Sequence, residues 1–340
     1  MAVLFGLDIG RTFIKVVQAQ VRGNKKVLKA AGIGATPEGG IQTESPVGLK
    51  QVSDRIKSVL AQAKIGTNHC AISLIESQVV SRLIQMPPLT DKELAAAIDW
   101  EAEQYIPLPI KDVVLKYHIV AKRAGSSSEG GKMDVLLVAV PKRIVEKYLN
   151  IVRDAGLIAE AIETESAALA RSLTHVDDPP TVIVSAGGIS TELVIVQAGN
   201  VLFTRSIATG GINLTRAIIA EFNLPQKQAE EYKQTYGILE DQLSGKVAAV
   251  LKPILDVIVL EIAKAVEFAR TRVEGSPVER VIITGGGAFL PGLAQYLVER
   301  TGLEVALGDP WLDFAKEGLV MKLAGQGGIY SVATGLALRN

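Results

Sequence analysis

Two short stretches of this 340-residue chain carry residue types that can hold a phosphate group. The first is Asp8-Ile9-Gly10-Arg11-Thr12-Phe13-Ile14-Lys15, in which an acid closes an apolar run and a glycine and a hydroxyl follow. Gly10 lets a turn approach a phosphate with no Cβ in the way. Backbone N–H groups and the Thr12 hydroxyl can donate to it. Asp8 can hold Mg²⁺ through water, because that ion keeps much of its hydration. The second stretch, TVIVSAGGISTELVIV (181–196), is two apolar runs around a small glycine-containing turn, a β-hairpin whose tip admits a phosphate. Where a carboxylate would be useful, the first run closes on Ser185. Each stretch, taken alone, also reads as an ordinary hairpin.

Three further features can meet the same ligand. Gly210-Gly211 opens a predicted helix, whose N-terminus suits phosphate. Glu230 and Lys233 share a face of a predicted helix and can grip a ribose or base edge, or simply form a solvated ion pair. Ile282-Ile-Thr-Gly-Gly-Gly287 ends a strand on bare backbone, suited to a base, a phosphate or a tight strand-to-helix turn. His69, His118 and His175 show no metal-ligand spacing, and no nucleophile, base and acid set is evident.

The composition narrows the class. Lys plus Arg and Asp plus Glu are 36 each, and this zero net charge argues against nucleic acid or an anionic membrane as partner. Hydrophobic residues make up 48%, but they fall in short runs that fit strands buried on both faces rather than membrane spans. Cys70 sits in the apolar run CAISLI and reads as a buried small hydrophobe. The start, MAVLFGLDIG, lacks a basic region and a long apolar one, so a cytoplasmic protein is expected.

The elements that must position these residues follow from periodicity. Strands are predicted at 3–9, 13–21 and 26–33 with a turn at Gly23-Asn24, then a helix through Val52, Ile56, Val59 and Ala63. Strands at 69–75 and 79–86 come next, and Thr90 to Glu93 has the form of a capping box opening a helix to about Tyr105. Strands at 113–121 and 133–140 flank AGSSSEGGK, a flexible hairpin loop. A helix from Pro141, a strand at 157–163 and a helix at 164–174 complete this half. From Thr181 the opening repeats about 177 residues on, with Val184-Ser-Ala-Gly187 in place of Leu7-Asp-Ile-Gly10 and Gly199-Asn200 at the second turn. A duplicated α/β fold is expected. Helices dominate 212–273, a strand closes at 284, a helix starts at Pro291 and a last helix covers 327–338.

The order of these features is the series of the actin-like ATPase superfamily. Nearly the whole chain resembles the PilM family, cytoplasmic actin-like proteins of type IV pilus assembly. The stretches that carry the resemblance include FGLDIGRTFIKVV (5–17), MPPLTDKELAAAIDWEAEQYIPLPIKDVVLKY (86–117), TRSIATGGINLTRAI (204–218), AEEYKQTYG (229–237) and VIITGGGAFLPGLAQYL (281–297). The resemblance implies a duplicated, ribonuclease H-like two-lobed fold with ATP and Mg²⁺ between the lobes and an α+β insert of the kind shared with FtsA. It divides the chain into a first lobe (1–78 plus 163–178), the insert (79–162), a second lobe (179–218 plus 275–340) and a helical subdomain (219–274).

By the same resemblance, Asp8, Gly10, Thr12 and Lys15 form the first phosphate hairpin, with Asp8 toward the metal. Ser185, Gly187 and Thr191 form the second, and Gly210, Gly211 and Asn213 follow it. Glu230 and Lys233 meet ribose or adenine, and Gly285, Gly286 and Gly287 the adenosine. The family binds the N-terminal tail of the membrane protein PilN, with Trp100, Tyr105 and Ile106 as candidate neighbours or, equally, insert core. It sits at the inner membrane through that partner and connects to the motor ATPases; a homo-oligomer is also compatible. The chain departs from the family at Arg11 and Phe13, where small hydroxyl residues are usual, and at Ser185, where aspartate is usual. The expectation is therefore a nucleotide-holding scaffold with weak or absent hydrolysis. An active Mg²⁺-dependent ATPase is the first alternative and a filament-forming FtsA-like division protein the second. The chain ends in ATGLALRN with no amphipathic tail, which counts against the latter.

Overall fold

Short, almost wholly buried strands, FGLDI in one and TVIVSA in the other, build the centres of two sheets. The computed structural model describes residues 4–23, 25–123, 131–272 and 277–339. Asn24 of the expected turn and most of the loop expected after strand 113–121 lie outside those residues. The first half runs β1 (Phe5–Ile9), β2 (Phe13–Arg22), β3 (Lys25–Ala35), α1 (Pro46–Ala63), β4 (His69–Leu74), β5 (Val80–Met86), α2 (Asp91–Glu103), β6 (Val113–Arg123), β7 (Lys132–Pro141), α3 (Lys142–Asp154), β8 (Ile158–Thr164) and α4 (Glu165–Leu173). The second runs β9 (Thr181–Ala186), β10 (Thr191–Gln197), β11 (Asn200–Ile207), α5 (Gly211–Phe222), α6 (Gln226–Tyr236), α7 (Lys246–Arg272), β12 (Arg280–Thr284), α8 (Leu293–Thr301), β13 (Glu304–Leu307), α9 (Leu319–Lys322) and α10 (Ser331–Ala337).

The duplication is visible in the sheets. The first has the order β3-β2-β1-β4-β8 and the second β11-β10-β9-β12-β13. In each, the first three strands form an antiparallel meander and the last two join in parallel. The central strands β1 and β9 are buried almost throughout, so the residues at their ends point where the two halves meet. This is the two-lobed actin-like fold expected from the sequence.

The insert is smaller than expected. Its sheet is β5-β7-β6, covered by α2 through Leu94, Ile98 and Ala102. The capping box holds: Glu93 N donates to Thr90 Oγ1 at 3.3 Å and Thr90 N to Glu93 Oε2 at 2.8 Å. The expected boundary at 162 does not hold. β8 pairs with β4 in the first sheet, and α3 buries Ile144, Tyr148, Ile151 and Val152 in that sheet's core. The three-stranded unit therefore closes at Pro141.

The last helix falls on the expected residues. It starts as a 3-10 turn over Gly327–Tyr330 and continues as α10, which packs across β1 and α4 of the first half. Two glycines make that crossing possible. A Cβ on Gly6 would stand 2.8 Å from both Ala337 N and Leu336 Cβ, and one on Gly335 would stand 2.5 Å from the Ala168 carbonyl carbon. Among the described residues no helix is long and apolar enough to cross a membrane.

Candidate functional site

Each central strand ends in the same turn. Gly10 N donates to Phe13 O at 3.1 Å, and Gly187 N donates to Ser190 O at 2.9 Å. Glycine is required at both for closeness rather than for an unusual φ: an added Cβ would lie 2.7 Å from that same carbonyl oxygen in each case. The first turn is fastened by the end of β3, where Thr36 N donates to Thr12 O at 2.9 Å and Thr36 Oγ1 to Gly10 O at 2.8 Å. The second is fastened by the start of α5, where Gly211 N donates to Gly187 O at 3.0 Å and Ile212 N to Gly188 O at 2.8 Å. The two turns approach each other across the cleft. A Cβ on Gly188 would come 2.9 Å from Thr12 Oγ1.

Between them lies a cavity of about 1370 Å³. Its walls collect Asp8, Gly10, Thr12, Lys15, Ser185, Gly187, Gly211, Glu230, Lys233 and Gly285 to Gly287, together with Arg11 and Phe13. Residues far apart in sequence are thus brought to one place. Three expected residues stand behind the wall instead. Thr191 is buried and its hydroxyl donates to Thr209 O at 2.7 Å. Asn213 Oδ1 accepts from Gly210 N at 3.0 Å. Gly210 is there for packing, since a Cβ would lie 2.6 Å from the carbonyl carbon of Ile189. The N-terminus of α5 likewise differs from expectation: two of its free N–H groups serve the second turn.

Glu230 and Lys233 are more than a solvated pair. Lys233 Nζ donates to Glu230 Oε2 at 2.7 Å, Thr215 Oγ1 at 2.9 Å and Gly211 O at 3.2 Å, which ties α6 to α5 at the cavity rim. Burial works to raise the Glu230 carboxyl, but bonds from Lys233, Thr215 and Gln234 hold it below the usual range. In the glycine run, Gly285 has φ +81° and Gly287 packs on Ala186, while a Cβ on Gly286 would meet nothing within 4 Å. Open backbone there leaves room for a ligand.

The charged floor holds residues that sequence reasoning missed. Asp8 is 2% exposed; its Oδ2 accepts from Lys15 Nζ at 2.7 Å, and its Oδ1 is buried with no partner. Glu165, at the start of α4, accepts from Glu76 N at 3.1 Å, and Glu76 Oε2 accepts from Ser166 N at 3.3 Å. Burial, then the charges of Asp8, Glu192 and Glu76, push Glu165 well above the usual carboxylate range. Burial also raises Glu76. Glu192 faces Ser185 across the β9–β10 ladder, and burial pushes it up to about 7 against bonds from Ser190 and Ser206. A signal for Glu192 existed: the first turn sets Asp8 opposite Lys15, and the second turn repeats that spacing. Glu165 and Glu76 had none, because parallel pairing of β4 with β8 brings them together.

Arg11, from the first turn, donates through Nη2 to Ser77 Oγ at 2.5 Å, while its Nε is buried without a partner. Phe13 is 45% exposed at the mouth. Among the described residues no group of three His, Cys, Asp or Glu side chains can hold a metal ion by itself. A cation kept by one or two carboxylates, water and phosphate oxygens does fit, since two buried carboxylate oxygens, on Asp8 and Glu192, lack partners beside one cavity. On the insert, Ile106 is core at 5% exposed, whereas Trp100 at 67% and Tyr105 at 42% face solvent.

Comparison with known proteins agrees with this geometry. The chain is 30% identical to a protein in a solved PilM–PilN type IV pilus biogenesis complex, with a TM-score of 0.83 and 99% of this chain and 98% of that one covered. The ethanolamine utilization protein EutJ of Carboxydothermus hydrogenoformans shares the fold at 15% identity and a TM-score of 0.57, over 100% of this chain and 91% of that one. The cell division protein FtsA of Streptococcus pneumoniae is 22% identical over 346 residues, 90% of this chain and 75% of that protein. The model of the type IV pilus assembly protein PilM matches residues 6–340. The chain belongs to the PilM family.

Proposed function

We propose that this protein is a nucleotide-holding scaffold of a type IV pilus, or of a related secretion or DNA-uptake machine. It docks the N-terminal tail of a PilN-like membrane protein from the cytoplasmic side and so connects the inner-membrane complex to its motor ATPases. The observation that carries the reading is the cavity between the two duplicated turns, with its open backbone at Gly286 and its partnerless buried carboxylate oxygens. ATP with Mg²⁺ fits it, and similarity to the PilM of a PilM–PilN complex supports the docking role. Nucleotide then acts by stabilising one arrangement of the two lobes over another. Hydrolysis is slow: phosphoryl transfer depends on charge and positioning, Ser185 cannot orient an attacking water as an aspartate there would, and Lys15 occupies one oxygen of Asp8.

The test is calorimetric titration of the purified protein with ATP, followed by a phosphate-release assay on the same sample. Binding without appreciable release is expected. Steady Mg²⁺-dependent release would replace the scaffold reading with that of a working ATPase, and absence of binding would remove nucleotide from it altogether.

The docking reading separates two kinds of residue on the insert. Trp100→Ala is expected to weaken binding of a PilN tail peptide about tenfold, as exposed aromatic anchors do, without moving the melting temperature. Ile106→Ala removes a core side chain and is expected to cost about 2–5 kcal/mol of stability instead. Fluorescence titration and thermal melts of both variants read the two effects. Unchanged peptide affinity in Trp100→Ala would remove that residue from the interface.

A further inference from the structure

The two hairpins present their polar side chains differently. Directly opposed residues of an antiparallel ladder leave the same face of the sheet, with Cβ atoms roughly 5 Å apart. In the first hairpin the opposed pair one step in from the turn is Asp8 and Lys15; in the second it is Ser185 and Glu192. Both pairs line the cavity, so the second hairpin does present a carboxylate there, on its return strand. Glutamate is one methylene longer than aspartate and can reach across the pair from that position.

The environment of Glu192 is that of a ligand. The residue is 6% exposed. Its Oε1 accepts from Ser190 Oγ at 2.8 Å and from Ser206 Oγ at 2.9 Å, so the carboxylate is oriented by one hydroxyl from the turn and one from β11. Its Oε2 is buried and has no partner. A buried carboxylate oxygen left bare is costly, and a cation or its hydration water would satisfy it. Asp8 Oδ1 is in the same condition at the end of the matching strand.

We propose that Glu192 supplies, from the facing strand, the carboxylate that position 185 lacks, so that the divalent cation accompanying a bound nucleotide is held through Asp8 and Glu192 together with water. The inference rests on the nucleotide-binding reading above. It makes Ser185 one half of an exchange. A small residue at 185 leaves room for the longer acid opposite, and carboxylates at both positions would repel across the ladder. Arg11 is the competing explanation, because it is the cation whose charge acts on Glu192 and its Nε lacks a partner.

The experiment is calorimetric titration of the full chain with ATP, in millimolar Mg²⁺ and in EDTA. In Glu192→Gln the gain in affinity that Mg²⁺ brings is expected to shrink roughly tenfold, the scale on which support of a metal site is lost. Affinity in EDTA should hold steady. Glutamine keeps the shape and the acceptor for Ser190 and Ser206, so the fold is expected to persist. The double variant Ser185→Asp/Glu192→Ser moves the charge back across the ladder and should restore the gain, whereas Ser185→Asp alone should not increase it. An undiminished Mg²⁺ gain in Glu192→Gln overturns the proposal. So does an equal fall in Mg²⁺ and in EDTA, which would assign Glu192 to Arg11. Failure of the unaltered protein to bind ATP in either buffer would instead defeat the nucleotide reading itself, and this inference with it.

Discussion

Replacing Gly335 by alanine is expected to destabilise the protein by roughly 3 kcal/mol or more, at the upper end of what overpacking costs. The crossing of α10 over α4 brings backbone against backbone. An added Cβ would lie 2.5 Å from the Ala168 carbonyl carbon and 2.9 Å from its Cα, and closer still to its oxygen. No rotamer change relieves such a clash, because all three of these atoms belong to the main chain of a helix. The two helices must separate, which strips Leu336, Val332, Ala168 and Leu169 from a shared core. A drop in melting temperature of about 4 °C or more follows for a chain of this size. Gly286→Ala is the control: its Cβ would meet nothing within 4 Å, so its melt should match that of the parent. Equal melts for Gly335→Ala and the parent would show that α10 is not held where described.

Glu192→Gln is expected to flatten the pH dependence of stability in the ligand-free protein. Burial lifts Glu192 from 4.5 to about 7, so the folded state holds this proton more tightly than the unfolded chain does. The stability linked to it is fully present below about pH 4.5 and is lost as pH rises through 7. Binding a proton tenfold more tightly when folded contributes about 1.4 kcal/mol, so the loss between pH 5 and pH 8 approaches ~3 kcal/mol. Glu165 and Glu76 are raised in the same direction and add to the slope. Acids held below their usual range, such as Asp178 beside Arg280, titrate at lower pH and leave this window clear. Urea melts at pH 5 and pH 8 measure the difference. The glutamine variant should be the more stable protein at pH 8. If the full slope survives in it, the titration belongs to Glu165 or Glu76 and the assignment to Glu192 fails.

What the sequence revealed about the site depended on how local each feature was. Asp8 and Gly10 were legible because a strand, a turn and the return strand occupy consecutive residues. The duplication was legible for the same reason, since Val184 to Gly187 repeats Leu7 to Gly10 in type and position. Glu192 escaped because a match made along the chain stops at Ser185, whereas charge at a sheet surface is shared across a ladder. Glu165 and Glu76 escaped for a deeper reason: they meet only because β8, after the whole insert, returns to lie beside β4. That return also misplaced the insert boundary at 162, since β8 reads as one more strand of the unit it follows. Trp100 lies in the last turn of α2 and Ile106 three residues past its end, and packing alone decided that one faces water and the other the core.

The position of α10 has a consequence for how the molecule is made. During synthesis, chains fold from the N-terminus as they emerge. A tandem duplication would let the first copy finish while the ribosome was still making the second. Here the first sheet cannot finish. β1 is built within the first ten residues, yet the backbone that seats against Gly6 belongs to residues 333–337. Until those leave the exit tunnel, one face of β1 and one side of α4 stay uncovered, however complete the strands beside them. Strand β1 therefore gains its full packing only after both copies have been made, and the emergence of residues 331–337 is the step that commits them to one structure.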